Sequence, residues 1–312
     1  MLASDNPVRV DAKTFQEPLS ALAETMVQKV FREGKSHCGF PENMHDDIAM
    51  MLRYALSIYR LLFYLNADVR RQKDTEWHVE YGVSAMTLVR SLIDCLYNIT
   101  LFLENPAKAA EYRKCGLKKV LDALDAERDA HPGDQAWEAW RAERLPFVEG
   151  FIVRCGFTVG DVRAQGKWRT MGSYVGTKGS GGSLTPHQRF LGQFTHLQWK
   201  QYSALSHAGY EGFAGLLDAA PLGAYFMTDF LPHELRAKVE ERYELHVSSH
   251  LGRAALLLLC IVTELQAYCR FDGAEINARI CRVWDALLPL YDTKELYDGR
   301  YSQLMADKGI RR

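Results

Sequence analysis

Residues 83–103 read VSAMTLVRSLIDCLYNITLFL. Apolar side chains occupy nearly every side of a helix drawn through this stretch, which predicts a helix buried on most of its circumference. Such a helix needs other helices around it, and the flanking sequence supplies them. Helical apolar spacing predicts a first long helix over 44–71, and the quoted stretch lies within a second over 76–104. Asn105-Pro106 stops that helix and starts a third, with Asn105 as cap and Pro106 at the first helical position, where its missing N–H costs nothing. The third helix, to about 129, is rich in Lys, Arg, Asp and Glu, so one face is solvated, and His131-Pro132-Gly133 ends it. Asp134 can cap a fourth helix carrying Trp137 and Trp140, expected to be interrupted at Pro146.

The composition then changes. Eight glycines fall between Gly156 and Gly182, with Arg163, Lys167, Arg169 and Lys178 against Asp161. This stretch is expected to be the least ordered of the core chain, too rich in glycine to hold a helix. The strongest local signal follows it. Thr185-Pro186-His187-Gln188 places Thr as cap, Pro at the first helical position and Gln three residues after the cap, a capping box that starts a helix running to about 208. Further helices are expected over 232–270, 274–291 and 293–305. No alternating stretch argues for a sheet and no internal repeat appears. The fold class read from these signals is all-α, a multi-helix bundle. Its expected organisation is an N-terminal arm at 1–40 and one helical domain at 41–312, with a Gly-rich basic loop at 156–184.

Composition bounds the function loosely. The net charge of −1 gives no global field for nucleic acid or an anionic membrane, so any such partner needs a local patch. The N-terminus has no apolar core of a signal peptide, and the apolar run at 254–263 is about half of what a bilayer requires before Glu264 ends it. Seven scattered cysteines without a C-x-x-C pair suit reduced thiols. A cytoplasmic protein that does not span a membrane is therefore expected.

Two polar constellations interrupt the apolar helices. On the second helix Thr87, Arg90, Asp94 and Asn98 share one face at steps of three and four, so Arg90 and Asp94 can pair. Such a pair either satisfies itself inside the bundle or holds an Arg ready for an anion, because Asp94 occupies only part of the guanidinium fork. On the capped helix Arg189, Gln193, His196, Lys200, Ser203 and His207 form one continuous stripe, either solvated or a basic binding face. Tyr202 and Ser206 lie four apart on the neighbouring face and need hydrogen-bond partners, which Arg90 or Asp94 could supply. The candidate binding cluster is thus Arg90, Asp94, Tyr202, Ser206 and His207. No metal site is expected: the stripe histidines are three turns apart, and His246 with His250 has Glu241 nearby but no evident third ligand. No cofactor is expected. Gly176-Thr-Lys-Gly-Ser180 lacks the order of a phosphate loop and follows no strand.

The stretch from Ser84 to Asp94, with an acid four residues after Arg90, followed by Tyr202-Ser-Ala-Leu-Ser-His207, resembles a bacterial all-helical family of uncharacterised function that pairs an Arg-x-x-x-acid helix with a Tyr-x-x-Leu-Ser helix. The likeness covers about 45–265, with Asp94 where Glu is usual and Tyr210 where a His is expected. It implies a helical binding or interaction protein of bacterial stress or phage-defence type, whose ligand or protein partner it does not name and which a homodimer would suit. More distantly the chain resembles the HEPN superfamily, some members of which are metal-independent ribonucleases with an Arg-x(4–6)-His motif. That likeness implies Arg189 and His196, or Arg32 and His37, as an RNA-cleaving pair, with His as acid or base and Arg on the phosphate.

Overall fold

A computed structural model describes residues 12–41, 43–69, 78–176, 183–195, 203, 232–271, 273–289 and 291–310. The helices are α1 (Ala12–His37), α2 (Met44–Val69), α3 (His78–Glu104), α4 (Ala107–Ala130), α5 (Gln135–Arg154), α6 (Val159–Arg163), α7 (Met171–Gly176), α8 (Pro186–Phe194), α9 (His233–Cys269), α10 (Ala274–Leu287), α11 (Tyr291–Leu296) and α12 (Ser302–Asp307), with a π turn at Tyr297–Tyr301 joining the last two. No strand occurs among the described residues, and the fold is an all-α multi-helix bundle.

The centre is the pair α3 and α9, flanked by α1, α2 and α10. Its sequence cause is the apolar circumference quoted above. Val89, Leu92, Ile93, Leu96, Ile99 and Phe102 of α3 are fully buried, and Ala254 to Val262 of α9 meet them as an unbroken buried run. By length and composition alone Ala85–Glu104 and Val247–Cys269 could each cross a bilayer; 67% and 89% of those windows are buried inside the bundle. Their apolar surface is thus largely taken up by one another and by neighbouring helices.

Residues 12–37, assigned above to an arm, are a core helix. Phe15, Leu19, Leu22, Met26 and Val30 recur at steps of four, three, four and four and are wholly buried, so α1 lies against α2, α9 and α10. The α1–α2 turn is tight because residue 34 has no side chain: a Cβ there would stand 3.0 Å from the Cβ of His45.

A second, smaller apolar cluster joins α4, α5 and α6 through Leu117, Leu121, Leu124, Val148, Ile152 and Val162. The expected caps form: the Asn105 side chain accepts from the Ala107 N–H, and Asp134 accepts from those of Ala136 and Trp137. The break at Pro146 does not. Packing of Leu145, Val148 and Ile152 into the small cluster carries α5 straight through the proline, whose ring is exposed.

The Gly-rich stretch also differs from its expectation. Thr158 and Asp161 form a reciprocal capping box that starts α6, and α7 follows eight residues after it ends. Local capping and the aromatic anchor described next offset the backbone entropy of the glycines. Residues 177–182 of that stretch lie outside the described residues.

Candidate functional site

Arg90 and Asp94 form the ion pair their spacing predicts. The pair spans the bundle surface: the Arg90 side chain is 15% exposed and that of Asp94 43%. Thr87, one turn earlier, is exposed, and Asn98, one turn later, is buried. The polar stripe therefore dives from solvent into the core. Tyr202, Ser206 and His207, the other members of the expected cluster, lie outside the described residues, as does His196 of the alternative pair. Arg189 is described, and its Nη1 donates to the Leu184 carbonyl at 2.9 Å. His37 is also engaged, donating to the Arg270 carbonyl at 3.2 Å. His250 is buried, and the described residues contain no group of three His, Cys, Asp or Glu arranged for a metal ion.

The buried end of the stripe opens into a polar and aromatic seam that the sequence did not announce. Asn98 Oδ1 accepts from Trp168 Nε1 at 3.1 Å, and Tyr97 Oη donates to the Arg169 carbonyl at 2.9 Å. The Trp168 ring sits among Tyr97, Phe102 and Tyr112, the last at 5.1 Å. These contacts clamp the Gly-rich segment to α3.

Thr185 and Gln188 make both bonds of the predicted capping box, and the helix they start brings His187 against α3. His187 Nε2 lies 2.9 Å from Thr100 Oγ1, and Nδ1 lies 3.0 Å from Tyr174 Oη. The Thr100 hydroxyl proton is given to the Leu96 carbonyl at 2.7 Å, so Thr100 accepts from His187 Nε2–H. His187 Nδ1 then accepts from the Tyr174 hydroxyl, and the imidazole is the neutral Nε2–H tautomer. Burial, with the nearby Arg300 charge adding to it, pushes the His187 pKa down to about 4. A sealed, neutral, doubly bonded imidazole of this kind positions helices and does not exchange protons with a substrate.

Two further buried charges are paired. Arg300 donates from Nε and Nη2 to the two Glu264 oxygens at 2.7 and 3.1 Å, and its guanidinium lies 4.3 Å from the Phe190 ring centre. Burial works against that charge, but the Glu264 bonds outweigh it and hold Arg300 ionised. Arg113 similarly grips Asp47 and the Asn43 carbonyl, tying α4 to the start of α2; burial raises the Asp47 carboxyl, with Arg113 opposing.

Large apolar side chains also stand in solvent in rows along α2 and α5. On α2, Met50, Tyr54, Ser57, Leu61 and Tyr64 are exposed at steps of four, three, four and three, Tyr64 to 69%. Beside them Phe31 of α1 is exposed, and a groove of about 430 Å³ runs between the helices, lined by Val27, Phe31, Ala49, Met50 and Tyr54. Arg53 also lines it, and Arg53 and Arg60 share one carboxylate, Glu24, at 2.6 and 3.3 Å. On α5, Trp140, Phe147 and Phe151 share a face, with Arg144 and Arg154 over the two phenylalanine rings.

Compared with known protein families, with curated proteins and with solved structures, the chain matches none.

Proposed function

We propose that this chain is a cytoplasmic binding or interaction protein that receives an amphipathic helix of a protein partner on the outer face of α1 and α2. The observation that carries the reading is the exposed stripe Met50–Tyr54–Ser57–Leu61–Tyr64 beside Phe31. Its four-three spacing is that of a helix-to-helix seam, and contiguous apolar side chains left in water are otherwise a cost to a folded chain. Beside the stripe two arginines of α2 meet one glutamate, so a partner helix whose apolar face is flanked by acids fits it. The free cysteines and the burial of both bilayer-length helices support placement in the cytoplasm.

Sedimentation of the purified chain over a concentration series tests the face, with a Tyr54→Glu/Leu61→Glu double variant beside it. Self-association abolished in the variant identifies a second copy as the occupant. If the chain is monomeric throughout, a photo-crosslinker at position 54 should join it in cells to one partner, and Leu61→Glu should remove the adduct. An adduct formed equally well with Leu61→Glu refutes the reading. RNA cleavage by the purified chain in EDTA would also overturn it in favour of the ribonuclease alternative, whose His196 lies outside the described residues.

A further inference from the structure

The C-terminal ends of α1 and α9 meet in a small clasp. The His37 ring stacks on Phe271 at 5.5 Å, and the Phe40 ring stacks on Tyr268 at 5.5 Å. His37 Nε2 reaches across to the Arg270 carbonyl. Between these contacts, one residue in from each, stand Cys38 and Cys269, close enough for each thiol to perturb the other's ionisation. The two helix ends match: each cysteine is followed by a residue in the left-handed region, Gly39 at φ 64° and Arg270 at φ 52°. Both thiols are free, Cys269 is buried and Cys38 is partly open to solvent.

We propose that Cys38 and Cys269 form an oxidisable dithiol, a modification site at which peroxide drives a reversible disulfide between the first core helix and the central one. The ring contacts on either side hold the two helix ends together around this pair of thiols. The neighbouring Cys269 thiol favours the Cys38 thiolate, whereas burial pushes Cys95, Cys115, Cys155 and Cys260 up. Cys38, the one of the two that is open to solvent, is the attacking thiolate. Its sulfur takes one oxygen from a hydroperoxide as the O–O bond breaks, giving a sulfenic acid, and the displaced oxygen leaves as water or alcohol once protonated. The Cys269 sulfur then attacks Cys38; the S–S bond forms, the S–O bond breaks, and the leaving hydroxide takes the Cys269 proton as water. With hydrogen peroxide, two thiols and one peroxide become one disulfide and two waters.

The full chain, treated with hydrogen peroxide, alkylated and digested with trypsin without reduction, should yield fragment 36–53 joined to fragment 254–270, lighter by two hydrogens. Fragmentation should place the link on Cys269 and not on Cys260, and dithiothreitol should remove it. Cys38→Ser and Cys269→Ser should each abolish the link, and peroxide-treated Cys269→Ser should accumulate a dimedone adduct at Cys38. Alkylation of Cys38 and Cys269 as free thiols after peroxide treatment of the folded wild-type chain would overturn the proposal. So would a link from either one to another cysteine, or a Cys269→Ser chain of native helical content whose Cys38 ignores dimedone. The wild-type outcome decides the matter even where a variant does not fold.

Discussion

Protonating His187 should cost the bundle stability in a defined pH window. In the folded chain its pKa is pushed down to about 4, whereas an unfolded histidine titrates near 6.5. Between these values the unfolded chain binds a proton that the folded chain refuses, so stability falls as pH drops through the window and is fully present above about 6.5. At pH 4.5 the two titrations differ by about 2.5 kcal/mol. The group is nearly solvent-free, so solvent screening does not dilute that figure. The structural cause is specific: an added proton on Nδ1 would face the Tyr174 hydroxyl, which already donates there. Urea titrations at pH 7.5 and 4.5 measure the loss, and the same pair of titrations on His187→Gln removes the contribution of the carboxylates. Wild type should lose about 2.5 kcal/mol more than the variant. A ring-proton NMR titration should independently find one histidine, missing from the His187→Gln spectrum, titrating near 4. Equal losses in the two chains, or a His187 titration near 6.5, would refute the reasoning.

Arg300→Met should strand the Glu264 carboxylate and lower stability by about 3 kcal/mol, read as a drop in Tm, and adding Glu264→Gln should recover much of it because no charge is then left buried. Pro146→Ala should raise Tm by the equivalent of about 1–3 kcal/mol, because α5 runs through this position and lacks one N–H there; an unchanged or lower Tm would mean that the ring contributes packing of its own.

The parts of the fold that could be read from sequence are those whose cause lies within a few residues. The Thr185–Gln188 box, the Asn105 and Asp134 caps and the apolar circumference of 83–103 are local patterns, and each appears where it was expected. The Phe15–Leu19–Leu22–Met26 spacing is just as local, but polar residues on the other face, among them Gln16, Glu17 and Glu24, hid the core helix it belongs to. Pro146 misled because helix propensity was weighed without the tertiary packing that outbids it. In the candidate site, Arg90 and Asp94 are four residues apart and their pairing was readable. His187 and Thr100 are 87 residues apart, and the pairing of Cys38 with Cys269 joins helix ends still further apart in sequence. Contacts of that kind follow from how helices are stacked, which no short spacing encodes.

The placement of α1 has a consequence for how the chain is made. It leaves the ribosome ahead of the helices it packs on, and α2 can join it early. Its other partners among the described residues are α9 and α10, where Arg279 reaches back 254 residues to Thr25. At roughly 10 residues per second, those partners emerge about twenty seconds later. For that interval the sides of α3 and α1 that face α9 have no final neighbours. A nascent chain halted before residue 233 would therefore present the surface that holdase chaperones bind, and completing α9 is the event that releases it.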